Sequence, residues 1–263
     1  MTGWLLLNVP TLWLGLAMVL IPTTLTVSLL WWVRRRVHWE TLAANNEQGG
    51  VLFSVVGTIY AIFLAFLVVV AWEQLGDAET HVVEEGVTLL SLYRDIGAFP
   101  PGVRAELRTA LREYTEAVIR YEWDTMARGE ESPETNERYD RFWQQFLAYH
   151  PDAAAEQAAY AEGFTRLNEM AKERRTRILK SGATIPSVFW FLLLFGAFVT
   201  IGFTYLMGME SLRAQLAMNG MLTAIIMLAL FLIVVLDRPF TGDVRAEPAP
   251  FQYALQQMDR IGR

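Results

Sequence analysis

The sequence predicts an all-α membrane protein with four transmembrane helices and an extramembrane helical bundle inserted between spans two and three. Hydrophobic residues make up 53% of the 263-residue chain and charged residues 19%, with a mean hydropathy of +0.26. Soluble domains average about a quarter charged residues, so the apolar excess must lie in segments that leave water. It lies in four blocks, and no strand-like alternation persists between them.

Each apolar block is long enough to cross a bilayer, which requires about 20 residues. The second block contains no charged residue, and at 1.5 Å per residue it extends about 31 Å. The first block ends at three arginines, whereas a secretory signal carries its positive charge in front, so we interpret it as a retained anchor. The predicted spans are about 12–33, 51–71, 185–207 and 216–236.

Most acidic residues lie between spans two and three, which predicts a water-exposed helical domain there. Leu75, Val82, Leu89 and Ile96 recur every seven residues, so the helix of the second span is expected to continue as a rod. Prolines after the fourth span predict an extended tail. The predicted domains are a transmembrane hairpin at 1–72, a helical domain at 73–184, a second hairpin at 185–237, and the tail at 238–263.

Composition and motifs exclude several classes of function. The chain has no cysteine, which excludes a disulfide framework, a cysteine-ligated zinc site and a thiol nucleophile. Its net charge of −6 argues against a nucleic-acid partner, which would require a basic surface. It carries no metalloprotease, nucleophile-elbow, P-loop or dinucleotide motif. We therefore expect neither an enzyme nor a cofactor, and assign no metal centre.

An acidic series with one histidine follows the second span at four-residue spacing, along one face of the predicted rod. Oxygen and imidazole ligands on successive turns could form a weak cation site. They could also line a charged vestibule, which repels anions, or form the solvated face that any amphipathic helix has. The series comprises Glu73, Asp77, His81 and Glu85.

The second span carries a stripe of small residues, Ser54, Thr58, Ala61 and Ala65, at i, i+4, i+7 and i+11. Small side chains allow transmembrane helices to approach closely, so the stripe could be a packing face. It could also face the central axis of an oligomer and leave a narrow path for ions. Both interpretations remain open from the residues alone.

Two polar features mark the fourth span. Asp237 and Arg238 close it, where a carboxylate and a guanidinium serve either as an interfacial anchor or as a gate contact. Near its other end, Asn219 is expected to hydrogen-bond a neighbouring helix.

Short motifs occur in a fixed order along most of the chain. The run G-T-I-Y-A-I-F-L-A-F at 57–66 precedes Trp72-Glu73, Leu92-Tyr93-Arg94, Gly202-Phe203-Thr204-Tyr205 and L-D-R-P-F-T-G-D at 236–243. In these motifs the chain resembles the bacterial bestrophin-like family, distant relatives of the bestrophin anion channels. The resemblance implies a homopentamer whose second spans line the pore, with Ile62 and Phe66 beside the small stripe, and a cytosolic helical domain.

The sequence thus favours an oligomeric ion-conducting channel of the plasma (inner) membrane, with the lipid bilayer and small ions as partners. Four spans place both termini and the helical domain on one side. The resemblance implies anion selectivity, whereas an acidic pore mouth would favour cations. The alternative is a non-conducting, membrane-anchored interaction or sensor protein whose bundle binds a partner. Exposed aromatic side chains at Trp123, Tyr139 or Trp143 would favour that alternative.

Overall fold

The computed structural model describes residues 2–262, which form helices joined by short turns and contain no strand. The all-α prediction is therefore confirmed for this part of the chain. The helices are α1 (Thr2–Asn8), α2 (Thr11–Arg36), α3 (Trp39–Ala43), α4 (Asn46–Asp95), α5 (Pro101–Ala117), α6 (Trp123–Met126), α7 (Pro133–Ala148), α8 (Ala154–Ser181), α9 (Ser187–Thr204), α10 (Leu212–Leu236) and α11 (Ala249–Ile261).

The chain forms two compact units. The first contains the N-terminal part of the chain up to Glu73 together with Thr184–Asp237. The second contains Gln74–Ala183 and the residues from Arg238 onward. Helix α4 supplies residues to both units. It is one helix of 50 residues, so the prediction that the helix of the second span continues past its apolar segment is confirmed.

Four helices, α2, α4, α9 and α10, are long and apolar enough to cross a membrane, as the sequence predicted. Helices α2 and α10 pack closely in the first unit because small residues lie where they meet. A Cβ on Gly15 would lie 2.8 Å from the ring of Phe231. Further along, the hydroxyl of Thr26 donates to that of Thr223 at 3.2 Å.

Helix α9 lies against α4 through aromatic contacts. The Tyr60 hydroxyl donates to the carbonyl of Leu193 at 3.1 Å. A Cβ on Gly196 would overlap the Tyr60 ring, so this ring requires glycine at position 196. Two ring pairs, Phe53 with Phe203 and Phe63 with Phe189, add contacts between the same helices.

The second unit is built on the predicted heptad seam of α4. Val82, Leu89 and Ile96 are buried in a core shared with side chains of α5, α7, α8 and α11. Proline occupies the first turn of α5 and of α7, where its missing N–H loses no hydrogen bond. Ser132 caps α7 by accepting a hydrogen bond from the Thr135 N–H at 3.2 Å.

The prediction of an extended C-terminal tail is wrong for its last part, because Ala249–Ile261 is helix α11. Its buried residues, Phe251, Ala254 and Met258, have helical spacing and pack on the core of the second unit. Pro250 lies in the first turn, where proline starts a helix instead of breaking it. The prolines therefore mark where α11 begins.

Candidate pore face and buried charge cluster

All six candidate pore residues lie on one exposed face of α4. Ile62 and Phe66 are 66% and 60% exposed, respectively. The opposite face of the helix is buried in the first unit at Tyr60, Leu67 and Ala71. Among residues 2–262 no side chain packs over the small residues, so the exposed face is available to a neighbouring molecule. The exposed face comprises Ser54, Thr58, Ala61, Ile62, Ala65 and Phe66.

The two hydroxyls of this face donate to their own helix. Ser54 donates to the Gly50 carbonyl at 2.9 Å and Thr58 to the Ser54 carbonyl at 2.7 Å. Such bonds back to the i−4 carbonyl satisfy the hydroxyl hydrogens internally. The face consequently presents methyl, branched aliphatic and aromatic surface and no hydroxyl hydrogen pointing outward.

The acidic series is not brought together as one site. Glu73 is exposed, Asp77 pairs with Lys180 at 2.7 Å, and Glu85 is fully buried. His81 faces Glu84 and Glu173 instead. The cause is geometric, because each four-residue step rotates about 40° around a helix of 3.6 residues per turn. Three such steps rotate the side-chain direction by about 120°, from the exposed Glu73 to the buried Glu85.

Four charged side chains, Glu85, Glu122, Arg174 and Arg177, form a buried charge cluster in the second unit. Arg177 Nε donates to Glu85 Oε2 and its Nη2 to Glu122 Oε2, both at 2.7 Å. Arg174 Nη2 donates to Glu122 Oε1 at 2.7 Å. The Tyr114 hydroxyl donates to Glu85 Oε1 at 2.8 Å. Two positive and two negative charges compensate one another, as buried charges require.

A π-turn over Val118–Glu122 continues α5 into α6 and ends at the carboxylate that binds both arginines. A π-turn contains one extra residue, which rotates the succeeding residues by about 100° relative to an α-helix. Aromatic faces complete the surroundings of Arg177, whose guanidinium carbon lies 5.2 Å from the Trp123 ring and 5.3 Å from the Phe251 ring.

The buried charges determine the protonation of Arg177 and of the neighbouring Tyr114. Burial alone would lower the pKa of Arg177, but the charges of Glu85 and Glu122 outweigh it and raise the pKa. Burial raises the pKa of Tyr114 well above its ordinary value, and the charge of Glu85 adds to this effect. Arg177 therefore stays charged, and Tyr114 stays protonated as a hydrogen-bond donor.

Sequence reasoning missed this cluster because its residues are far apart in the chain. Arg177 and Glu85 are separated by 92 positions. One signal was present: Arg174 falls on the apolar stripe of α8 between Leu167 and Ile178. A charged residue at a buried helical position indicates a buried partner.

Polar side chains in α10 and at its C-terminal cap form hydrogen bonds within the first unit. The Asp237 carboxylate is buried and accepts a hydrogen bond from the Ile185 N–H at 2.6 Å. Asn219 Nδ2 donates to the Thr204 hydroxyl at 2.7 Å, which confirms the predicted bond to a neighbouring helix. Arg238 is half-buried and belongs to the second unit. The Asp237 carboxylate therefore connects the end of α10 to the segment that precedes α9.

The aromatic residues that would favour an interaction surface belong to the core of the second unit. Trp123 is buried, and its indole N–H donates to the Ala246 carbonyl at 3.0 Å. Tyr139 and Trp143 are partly buried against the same core.

Comparison with known proteins places the chain in a family. Residues 20–251 match the Bestrophin-like domain, and the chain therefore belongs to the Bestrophin-like family, as its motifs predicted. No curated protein sequence matches it.

Solved structures share its fold at low sequence identity. A variant of a bacterial Bestrophin homologue from Klebsiella pneumoniae is 14% identical, with a TM-score of 0.67 over 93% of this chain and 99% of that chain. A second variant of that homologue is 15% identical, with a TM-score of 0.62 over 92% and 98%. A crystal structure described as a membrane protein is 14% identical, with a TM-score of 0.65 over 92% and 96%. Together with the four apolar helices, these matches indicate a membrane location.

Proposed function

We propose that this protein is a homo-oligomeric ion channel of the plasma (inner) membrane, in which α4 of each copy lines a central pore. The observation that carries the proposal is the exposed face of α4 from Ser54 to Phe66. In this topology, residues 73–184 form an extramembrane domain between spans two and three. That domain lies in the cytoplasm with both termini, and the family resemblance favours five copies.

The distribution of exposure on α4 supports this arrangement. One face of its apolar half packs on its own unit through Tyr60 and Leu67, while the face with the smallest side chains is exposed. Lipid-facing surfaces of membrane helices have no need for small residues, because small residues serve close approach to a neighbour or to an axis. A ring of copies would turn this face towards a shared axis.

The chemistry of the face suggests how ions would pass. Ile62 and Phe66 would form apolar rings, and the nearby hydroxyls donate to their own helix. Apolar constrictions gate by dewetting and do not bind the ion tightly. Membership of the family favours anions, and the exposed Glu73 at the end of the apolar segment would weaken that preference through its negative charge.

Planar-bilayer recording with the purified protein tests the proposal. The wild-type protein is expected to give single-channel currents, and Ile62→Trp is expected to reduce or abolish them by filling the axis. Leu25→Trp is the matched control, since Leu25 on α2 is 65% exposed and Ile62 is 66% exposed. A wild-type protein without current, or an equal loss in both variants, would contradict a pore lined by α4.

The non-conducting alternative predicts something different. It requires a monomer or an oligomer without conductance, and a free surface on the bundle for a partner. The burial of Trp123 removes one anchor for such a surface. Absence of current together with a stable monomer in detergent would favour the alternative.

A further inference from the structure

Three ligand-bearing side chains meet on the second unit, outside the pore face and the buried charge cluster. His81 and Glu84 lie one turn apart on α4, and Glu173 approaches from α8. His81 Nδ1 lies 2.7 Å from Glu173 Oε2 and 3.5 Å from Glu84 Oε2. One ligand atom from each of the three residues lies within 4.8 Å of the others. We call these three residues the His81 cluster.

The atoms of the His81 cluster match the ligand set of a zinc-type cation. Such ions bind imidazole nitrogen and carboxylate oxygen at about 2.0–2.2 Å, which places neighbouring ligands of a tetrahedral site about 3.4 Å apart. The separation of His81 and Glu84 is close to this value. Hard cations such as magnesium prefer oxygen alone, so the imidazole favours a transition metal.

The ligand side chains differ in how far they are exposed and can move. The Glu173 side chain is only 8% exposed, so its carboxylate is fixed in the wall of the second unit. The Glu84 side chain is 53% exposed and can swing towards an ion. The His81 side chain is 22% exposed, so the site is accessible to an ion from the solvent side and leaves a fourth position for water.

We propose that His81, Glu84 and Glu173 form a binding site for a divalent transition metal of the zinc type. His81 supplies Nδ1, each glutamate supplies one carboxylate oxygen, and water fills the fourth position. The site shares only His81 with the acidic series that the sequence predicted. All three ligands lie in the second unit, and their metal binding can be measured without recording ion conduction.

Lys172 provides an internal competitor for the metal. Its ammonium lies 3.0 Å from Glu173 Oε1, and its side chain is 76% exposed. A positive charge beside a ligand carboxylate opposes cation binding through like-charge repulsion. Removing this ammonium should therefore strengthen metal binding, an effect opposite in sign to the loss of a ligand.

Zinc binding to the tag-free, detergent-purified full chain, measured by equilibrium dialysis after removal of metals with a chelator, tests the site. Wild type is expected to bind one Zn²⁺ per chain. Glu84→Gln and His81→Gln should each weaken binding at least about tenfold, since each removes one of three ligands. Lys172→Ala should tighten binding, and His150→Gln, which removes an exposed histidine elsewhere, should leave it unchanged.

Two results would overturn the proposal: no saturable Zn²⁺ binding by the wild-type chain, or Glu84→Gln and His81→Gln proteins that bind like wild type. Glu84 is exposed, so its variant tests the ligand without disturbing the core, and gel filtration verifies that each variant remains folded. Because the readout is bound metal, absence of current would leave this result unaffected, and absence of zinc would leave the channel proposal unaffected.

Discussion

Arg177 illustrates why the buried charge cluster stabilises the second unit only as a set. Its guanidinium is fully buried and pairs with both Glu85 and Glu122, and Arg174 supplies the second positive charge of the cluster. The cost of moving these ions out of water is offset by their mutual attraction and by four short hydrogen bonds. Any single deletion would leave an unpaired charge in the core, so the members depend on one another.

Arg177→Met is therefore expected to destabilise the protein by about 3–5 kcal/mol, because two carboxylates lose their shared partner. The measurement is the thermal unfolding midpoint of the detergent-purified protein, followed by circular dichroism. Arg175→Met is the control: Arg175 is exposed on the same helix, and its loss should change stability by less than about 0.5 kcal/mol. Equal midpoints for the two variants would contradict the role given to the cluster.

Tyr114 makes the stability of the protein sensitive to alkaline pH. Its folded pKa lies above its ordinary value of 10.0, so its stabilising contribution is complete below pH 10 and is lost as the pH rises through the folded pKa. The unfolding midpoint of the Tyr114→Phe variant should consequently fall less steeply above about pH 10 than that of wild type. Tyr253→Phe, at an exposed tyrosine, should follow wild type.

In the proposed pore, the charge of Glu73 should influence ion selectivity. Its carboxylate is exposed on α4 beyond the apolar face. Removing the charge with Glu73→Gln is expected to raise the chloride-to-potassium permeability ratio, measured from reversal potentials in asymmetric KCl. Glu79→Gln, at an exposed position further along α4, should have a smaller effect, and a fall in the ratio for Glu73→Gln would contradict this placement.

Helix α9 contains two glycines with opposite surroundings. At Gly196 a methyl group would overlap the Tyr60 ring, whereas at Gly202 no atom lies within 4 Å of the corresponding position. Gly196→Ala should destabilise the first unit by about 1–3 kcal/mol through overpacking. Gly202→Ala should be neutral or stabilise the helix by up to about 1 kcal/mol. Unfolding midpoints of the two variants in one detergent decide between these outcomes.

Helix boundaries could be predicted from sequence wherever a local signal determines them. Ser132 and Pro133 mark the start of α7, and Pro101 that of α5, because capping and missing N–H groups are properties of neighbouring residues. The π-turn before α6 could not be predicted. It ends at Glu122, which pairs with arginines more than 50 residues away, and no local residue pattern marks it.

The candidate sites also divide into a part that a local pattern predicts and a part that depends on residues far apart in the chain. Six pore candidates share a face because their spacing follows the helical repeat, which sequence alone contains. The His81 cluster needs Glu173 from another helix, and no pattern around His81 indicates that partner. Long-range pairing of charged side chains is a property of the fold, and a single sequence does not reveal it.

The membrane topology of the whole chain can be tested directly because the sequence contains no cysteine. A single cysteine for labelling should replace an exposed residue, and Glu47 and Glu130 are both exposed. Ser132, near Glu130, is unsuitable because it is buried as a helix cap. In intact cells, a membrane-impermeant maleimide should label Glu47→Cys and not Glu130→Cys, because residues 73–184 are proposed to be cytoplasmic. The reverse pattern would place the helical domain outside the cell.

The hydrogen bonds that Ser54 and Thr58 donate to their own helix have a consequence for any passage built from α4. A passage whose wall offers no outward hydroxyl hydrogens stays filled with water only if it is wide enough, since liquid water leaves narrow apolar tubes. Opening would then respond to the bulk of two side chains, Ile62 and Phe66, far more than to acidity or salt. Apolar solutes that dissolve in lipid, such as long-chain alcohols, would compete with water for the same space.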